Sequence, residues 1–363
     1  MTSVDLTTLR RWPDVEAENL FAYDASDRLI LDLAAPLLDG ANVAIIGDNY
    51  GALTLGSGVD GVRVHQDELV GERALAANAV GARYTNHPLG ADLLTGATLV
   101  LMQVPRSLDE LEEQLDAVAR YADPSVTVIA GGRIKHLTPT MNPIMQRYFG
   151  SLDISRAQQK SRAFTLRQPL PAAESRFPLR EQHGSLWIAA HGAVFAGTSI
   201  DIGTRLLLSV LAKTGPVAGT AIDLGCGTGV LAAALASARP ELRVIATDQS
   251  AAAVSSATHT MELNGLSARV TVVRDDGLDT QPDDSADLIV LNPPFHIGAV
   301  VHTGLALRLF EDAARVLRPG GELWTVFNSH LGYRQALARI VGPTELVTHN
   351  EKFMVTVSTK PRD

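Results

Sequence analysis

The segment Ala221-Ile222-Asp223-Leu224-Gly225-Cys226-Gly227-Thr228-Gly229 decides the fold. An apolar run ends in an acid, glycines follow at alternate positions, and Val230–Ala238 continues at helical spacing. A buried strand that turns through glycines into a helix opens a βαβ unit. Its glycines let a ligand approach the backbone, and the helix N-terminus favours anionic groups such as a carboxylate. Downstream, the strand ending in Thr247 delivers Asp248, a helix over 251–263 stops at Asn264-Gly265, and the next strand ends in Asp275-Asp276. The strand Asp287–Leu291 then delivers Asn292-Pro293-Pro294-Phe295-His296. A helix over 305–317 and a strand over 322–327 follow. This alternation predicts an α/β fold with a doubly wound, mainly parallel sheet.

The first half repeats the second. Ile45-Ile46-Gly47-Asp48-Asn49-Tyr50-Gly51 lies over Asp223–Gly229, with Gly47 on Gly225 and Gly51 on Gly229. Met102-Gln103-Val104-Pro105 lies over Leu291-Asn292-Pro293-Pro294. The pattern predicts a duplicated domain whose first copy has lost its chemistry: Ile45 replaces the acid, Asn49 a loop glycine, and Gln103-Val104 the Asn-Pro pair. Asp24–Asp27 is a candidate helix start. Between Leu137 and Pro178 periodicity weakens and prolines recur, so the expected division is a first domain over 1–136, a basic connector over 137–184 and a second domain over 185–363.

The chain has 363 residues, 46% apolar and 20% charged, which fits about two well-cored globular domains. Its N-terminal stretch is broken by charges, and no uncharged apolar run approaches the ~18 residues that span a membrane. The expected address is cytoplasmic. The single cysteine, Cys226, excludes a disulfide framework and any multi-cysteine metal site. Inside the glycine loop it reads as a small packed residue and not a nucleophile. Net charge is −9, yet Arg133–Arg180 carries nine basic residues against two acidic ones. A stripe of this kind, centred on Arg156, Lys160 and Arg162, suits either a solvated face or a phosphate backbone.

In Asn292-Pro293-Pro294-Phe295 the two prolines end the strand and fix its backbone. The tetrapeptide combines a side-chain acceptor (Asn292), a rigid backbone acceptor (the Pro293 carbonyl) and an aromatic face (Phe295). Together they can hold a planar group bearing an amine. Asp248, about twenty residues beyond the loop, is placed for ribose hydroxyls. Dinucleotide binding competes for the loop, but leaves the tetrapeptide unexplained.

The combination resembles the class I S-adenosylmethionine-dependent methyltransferases. The resemblance implies a Rossmann-like domain in which Asp223, Gly225, Cys226 and Gly227 take the methionine end and Asp248 the ribose. It puts Asp276, with Asp275 as the close alternative, beside the adenine. Asn292 and Pro293 would hold the hydrogens of a planar nitrogen, while Phe295 stacks on its ring. His191-Gly192-Ala193-Val194-Phe195, Asp201-Ile202-Gly203-Thr204 and Asn350-Glu351-Lys352-Phe353 extend the likeness to the bacterial ribosomal-RNA guanine-N2 methyltransferases. Those enzymes carry a degenerate methyltransferase-like N-terminal domain. Gln103–Leu111, Ile129–His136 and Ala157–Ala163 lie nearer to the large-subunit (23S) members. This likeness implies two tandem Rossmann-like domains, Thr204 among the cofactor contacts, and Arg156, Lys160 and Arg162 on the RNA. It further implies a monomer that flips a guanine and methylates its N2, on naked RNA or an immature subunit. One departure is Ala196-Gly197 in place of a Ser-Arg pair. The competing expectations are another planar nitrogen (adenine N6 or a protein glutamine) and a non-catalytic RNA-binding assembly factor.

Overall fold

In the computed structural model, which describes residues 4–211, 218–293 and 299–362, the chain divides after Phe177 into two units. The first contains α1 (Ala25–Ala34), β1 (Val43–Ile46), α2 (Ala52–Gly56), β2 (Val62–His65), α3 (Leu69–Asn78), β3 (Tyr84–Asn86), α4 (Ala91–Leu94) and β4 (Leu99–Gln103). It continues with α5 (Leu108–Tyr121), β5 (Thr127–Arg133), α6 (Met141–Tyr148), β6 (Phe149–Ile154) and β7 (Ser161–Pro169). The second opens with a hairpin, β8 (Leu179–His183) and β9 (Leu186–Ala190), then α7 (Ile202–Leu211), β10 (Ala218–Leu224), α8 (Val230–Ala238), β11 (Glu241–Asp248) and α9 (Ala251–Leu263). It ends with β12 (Val270–Arg274), β13 (Ala286–Leu291), α10 (Ala299–Val316), β14 (Leu317–Asn328), α11 (Tyr333–Ile340), β15 (Thr344–His349) and β16 (Phe353–Thr359).

The two main sheets have the same topology. Their orders are β3-β2-β1-β4-β5-β7-β6 and β12-β11-β10-β13-β14-β16-β15. In each, five parallel strands meet an antiparallel pair, β7 with β6 or β16 with β15. Parallel strands covered on both faces are apolar on both, and here alternate residues feed opposite cores. Leu288 and Val290 of β13 join one cluster, Ile289 and Leu291 the other. Val100 and Met102 of β4 are likewise separated from Leu99 and Leu101.

The glycine loops match in backbone though not in chemistry. Gly47, Asn49 and Gly51 have φ of 74°, 57° and 100°, against 69°, 53° and 76° for Gly225, Gly227 and Gly229. Asparagine tolerates the left-handed region, so Asn49 preserves the turn while adding a side chain. Ile45 is fully buried in the core where the second unit has Asp223. The start of α2 is held instead by Asp48, whose carboxylate accepts from Leu53 N and Thr54 N at 2.6 and 2.9 Å. A Cβ on Gly47 would lie 3.6 Å from Gln103 Cβ, so Gln103 closes that loop. The first copy keeps the fold and fills the space above it.

The stretch expected to be a connector is largely part of the first unit. Pro143 sits in the first turn of α6, where its missing N–H has no partner to lose. Pro169 ends β7, and Arg162 and Arg167 belong to a strand paired on both sides. Arg147 and Arg176 converge on the buried carboxylate of Glu112, the latter at 2.6 Å, which ties the segment after β7 to α5. Of that stretch only residues 178–184, which carry the first strand of the β8–β9 hairpin, pass to the second unit. Among the described residues no helix is long and apolar enough to cross a membrane.

Helix α1 starts where Asp24 and Asp27 form a capping box. Burial pushes the Asp27 carboxyl up to about 7, with the Asp48 and Asp24 charges adding to the effect, and pushes Asp48 up to about 6. Both therefore bind protons more tightly folded than unfolded, where a carboxyl titrates near ~3.9. Their contribution to stability is fullest below that value and is lost as pH rises toward about 7. Thermal unfolding followed from about pH 5 to about pH 8 should show Asp27→Asn with a flatter fall in Tm than the wild type. An unchanged slope would remove Asp27 from the titration.

Candidate functional site

Strand β10 reaches the site with its last acid buried. Asp223 Oδ2 accepts from Ala232 N at 2.9 Å inside the first turn of α8, while Oδ1 is buried with no partner among the described residues. Burial lifts its carboxyl to about 7, and the Asp248 charge adds to the rise. Gly225 N and Cys226 N both donate to Thr247 O at 2.9 Å, fastening the loop to the neighbouring strand. Gly227 N donates to Asp248 Oδ2 at 2.9 Å, and Ser250 N donates to Asp248 Oδ1 at 3.0 Å. Asp248 thus braces the loop from the end of β11.

A Cβ on Gly225 or Gly227 would meet nothing within 4 Å. The loop therefore presents bare backbone to open space, as a cofactor that lies along it requires. The residues fit S-adenosylmethionine on this observation, with Asp223, Gly225, Gly227 and Asp248 around the opening. Gly229 is different: its Cβ would lie 2.9 Å from Met261 Cε and 3.1 Å from Ala257 Cβ, so this glycine serves the packing of α8 on α9. Cys226 is buried beneath the loop, and burial pushes its thiol well above the ordinary range, which removes it as a nucleophile.

Both acids after β12 are buried. Asp276 Oδ1 pairs with Arg308 of α10 at 2.6 Å. Asp275 Oδ2 accepts from Thr280 N at 3.0 Å and Thr280 Oγ1 at 2.7 Å, while its Oδ1 has no partner among the described residues.

At the end of β13, Asn292 meets the start of α7. Its Nδ2 donates to Asp201 Oδ2 and to Thr204 Oγ1, each at 3.0 Å. Asp201 precedes the first residue of α7 and accepts from Gly203 N at 2.8 Å and from Thr204 N and Oγ1, as an N-cap does. Asn292 Oδ1 is buried and has no partner among the described residues. Pro293 is buried. Phe295, and with it Pro294 and His296, lies outside the described residues.

The other sequence motifs support this corner. A Cβ on Gly203 would come within 3.3 Å of the Phe353 ring, so the first turn of α7 rests on the edge of β16. Asn350 Oδ1 accepts from Lys352 N and Phe353 N at 2.9 and 2.8 Å and turns the chain into that strand. Ahead of α7, strand β9 runs along α9: Ala189 N donates to Thr260 Oγ1 at 3.0 Å and His191 N to Ser256 Oγ at 2.9 Å. Ala196 and Gly197 then adopt left-handed φ of 63° and 55°, leaving Phe195 64% exposed. Thr204, read from the sequence as a cofactor contact, has its hydroxyl on Asp201 and Asn292. Asp201 stood in the same motif without a role of its own.

In the first unit, Arg156 and Lys160 are exposed at the β6–β7 hairpin, with Gln159 and Lys160 in the left-handed turn. Arg162 follows at the start of β7. None of the three makes an ion pair among the described residues. By contrast Arg167 pairs with Asp153 at 2.9 Å. The basic stripe is therefore narrower than the sequence count, and it sits on a hairpin.

Residues 185–357 match the methyltransferase small domain family, and residues 1–169 match the RLMG N-terminal domain. The chain is 33% identical to the ribosomal RNA large subunit methyltransferase G of Streptomyces coelicolor, over 97% of both chains. It is 36% identical to that of Pseudomonas putida, again over 97% of both. Among solved structures, a T. thermophilus 16S rRNA N2 methyltransferase, RsmC, in complex with AdoMet and guanosine shares the fold. That match has a TM-score of 0.75 and 21% identity, covering 93% of this chain and 92% of that one.

The two kinds of loop glycine should separate in experiment. Gly229→Ala forces a methyl into the α8–α9 contact at positive φ and should destabilise the protein by about 1–3 kcal/mol, read as a lower Tm. Gly227→Ala meets open space and loses roughly 1 kcal/mol to its φ alone. Calorimetry should show its cofactor affinity falling more than its stability.

Proposed function

The chain belongs to the ribosomal RNA large subunit methyltransferase G family, and from that premise we propose that it methylates the exocyclic N2 of a guanine in large-subunit ribosomal RNA. The observation that carries this reading is the buried Oδ1 of Asn292, an acceptor left over at the end of β13. Leaving such a group unsatisfied costs about 1–3 kcal/mol, which an incoming N–H donor recovers. An exocyclic amine is such a donor. Its nitrogen is a poor nucleophile because its lone pair is delocalised into the ring. Holding its hydrogens on Asn292 Oδ1 and the Pro293 carbonyl turns that lone pair toward the methyl donor. S-adenosylmethionine supplies the methyl as an electrophilic sulfonium.

Asp223, Gly225, Cys226, Gly227 and Asp248 would hold the cofactor, with Asp276, or Asp275 as the close alternative, at its adenine end. No residue is asked to remove a proton before transfer; the extra proton on the methylated nitrogen passes to solvent water afterwards, so rate comes from positioning and fixed dipoles. The guanine is flipped from its stack at a cost of a few kcal/mol, offset by stacking on Phe295 and by backbone contacts. The unpaired cations of the β6–β7 hairpin, Arg156, Lys160 and Arg162, make phosphate contacts in this reading.

Mass spectrometry of ribosomal RNA nucleosides from cells with and without the protein should show loss of one N2-methylguanosine. Methyl missing instead from adenine N6 would move the substrate to the other planar nitrogen. On a transcript containing the mapped site, Asn292→Ala should slow turnover on the order of a hundredfold or more. The same transcript with inosine at that site lacks the amine and should be inert. Full activity of the variant, or methylation of the inosine RNA, would overturn the amine-holding role.

Reversing Arg156, Lys160 and Arg162 to Glu together should weaken RNA binding and flatten its dependence on salt, while cofactor affinity stays unchanged. An untouched salt slope would make the hairpin a solvated face.

A further inference from the structure

The Asn292 side chain is used asymmetrically. Both hydrogens of its Nδ2 are taken, one by Asp201 Oδ2 and one by Thr204 Oγ1, each at 3.0 Å, while Oδ1 has no partner among the described residues. The asymmetry has a chemical cause. A carboxylate accepts and does not donate, so only the Nδ2 end of the amide satisfies Asp201. The Thr204 hydroxyl gives its proton to the same Asp201 oxygen, which leaves its lone pair for Asn292. Turning the amide over would set Oδ1 against the Asp201 carboxylate, acceptor against acceptor. Asp201 therefore fixes the direction of the Asn292 carbonyl.

The first unit shows what this junction looks like without a ligand to receive. Gln103 ends β4 as Asn292 ends β13, and it too meets the first turn of the helix that precedes the sheet. Its Nε2 donates to Asp27 Oδ1 at 2.5 Å, but its Oε1 accepts from Ser26 Oγ at 3.2 Å. Both ends of that amide are used, as a tie between strand and helix requires. The position of Ser26, second in α1, is occupied in α7 by Gly203, which has no hydroxyl to offer. At this junction, among the described residues, the open acceptor belongs to the second unit.

We propose that Asp201, assisted by Thr204, is a positioning residue that holds Asn292 with its carbonyl toward the substrate amine. The role rests on the amine-holding reading of Asn292, and it makes orientation depend on a residue that does not touch substrate. Asp201→Asn keeps an N-cap side chain but offers Asn292 either a donor or an acceptor. In Asn292→Asp two carboxylates face each other. The double variant, Asp201→Asn with Asn292→Asp, restores one donor against one acceptor with the roles exchanged, and leaves a carboxylate oxygen toward the amine.

The test uses the full chain, deproteinised ribosomal RNA from cells lacking the protein, and S-adenosylmethionine carrying a labelled methyl. Asp201→Asn should lower kcat at least tenfold with KM for RNA and cofactor affinity within twofold of wild type, and with Tm little changed. Adding Asp201→Asn to Asn292→Asp should raise kcat at least tenfold above Asn292→Asp alone. An undiminished kcat in Asp201→Asn, a loss confined to Tm or cofactor affinity, or a double variant no better than Asn292→Asp would each overturn the role. Failure of the underlying reading is seen separately, as full activity in Asn292→Ala.

Discussion

The second unit depends on how β10 passes into α8 around one buried carboxylate. Asp223 holds the first turn of the helix through Ala232 N, so the chain between them must cross in left-handed residues that few side chains tolerate. That constraint leaves bare backbone facing outward at Gly225 and Gly227. It also places β13, the next strand in the sheet, beside the opening, because β10 and β13 pair in register through Leu224 and Leu291. Asn292 follows Leu291 directly. The glycine loop and the open acceptor of Asn292 are therefore neighbours by virtue of strand pairing, whatever the loops between them do.

The two units share a backbone plan and differ in where polar groups are spent. In the first, an isoleucine replaces the strand acid, a loop aspartate takes over the helix start, and glutamine closes the space above Gly47. Ile45 removes the carboxyl whose Oδ1 is left without a partner among the described residues at Asp223, and Gln103 uses both ends of its amide where Asn292 uses one. At these matched positions the first unit closes on itself where the second stays open. Its exposed cations Arg156 and Lys160 sit on the β6–β7 hairpin.

Much of this was legible in the sequence because it is local. Strand, glycines and helix follow one another within Ala221–Ala238, and Asp24 marks the start of α1 three residues before Asp27. The duplication showed through glycines whose φ allows little else. The antiparallel pairs at the ends of both sheets were missed for a common reason. β6–β7 carries its charges on strands that pair on both sides or turn in a hairpin, which reads as a polar connector. β15 has no fully buried residue, so its alternation is weak. The contact between Asp201 and Asn292 spans 91 positions and arises only when α7 packs across the strand ends. No local pattern carries such a distance.

The order of strands has a temporal side. β16 lies between β14 and β15, although it is made after both, and its first residue supplies the ring beneath Gly203. As the chain is made, β10 to β14 can pair, the glycine loop can close and α7 finds part of its floor on β14, while the ring beneath Gly203 comes only with Phe353. At about 5–20 residues per second, that is a delay of roughly 3–12 s after Asn292 is made. A nascent chain can therefore close its glycine loop before the corner that clamps the amide is complete, and β16 finishes that corner.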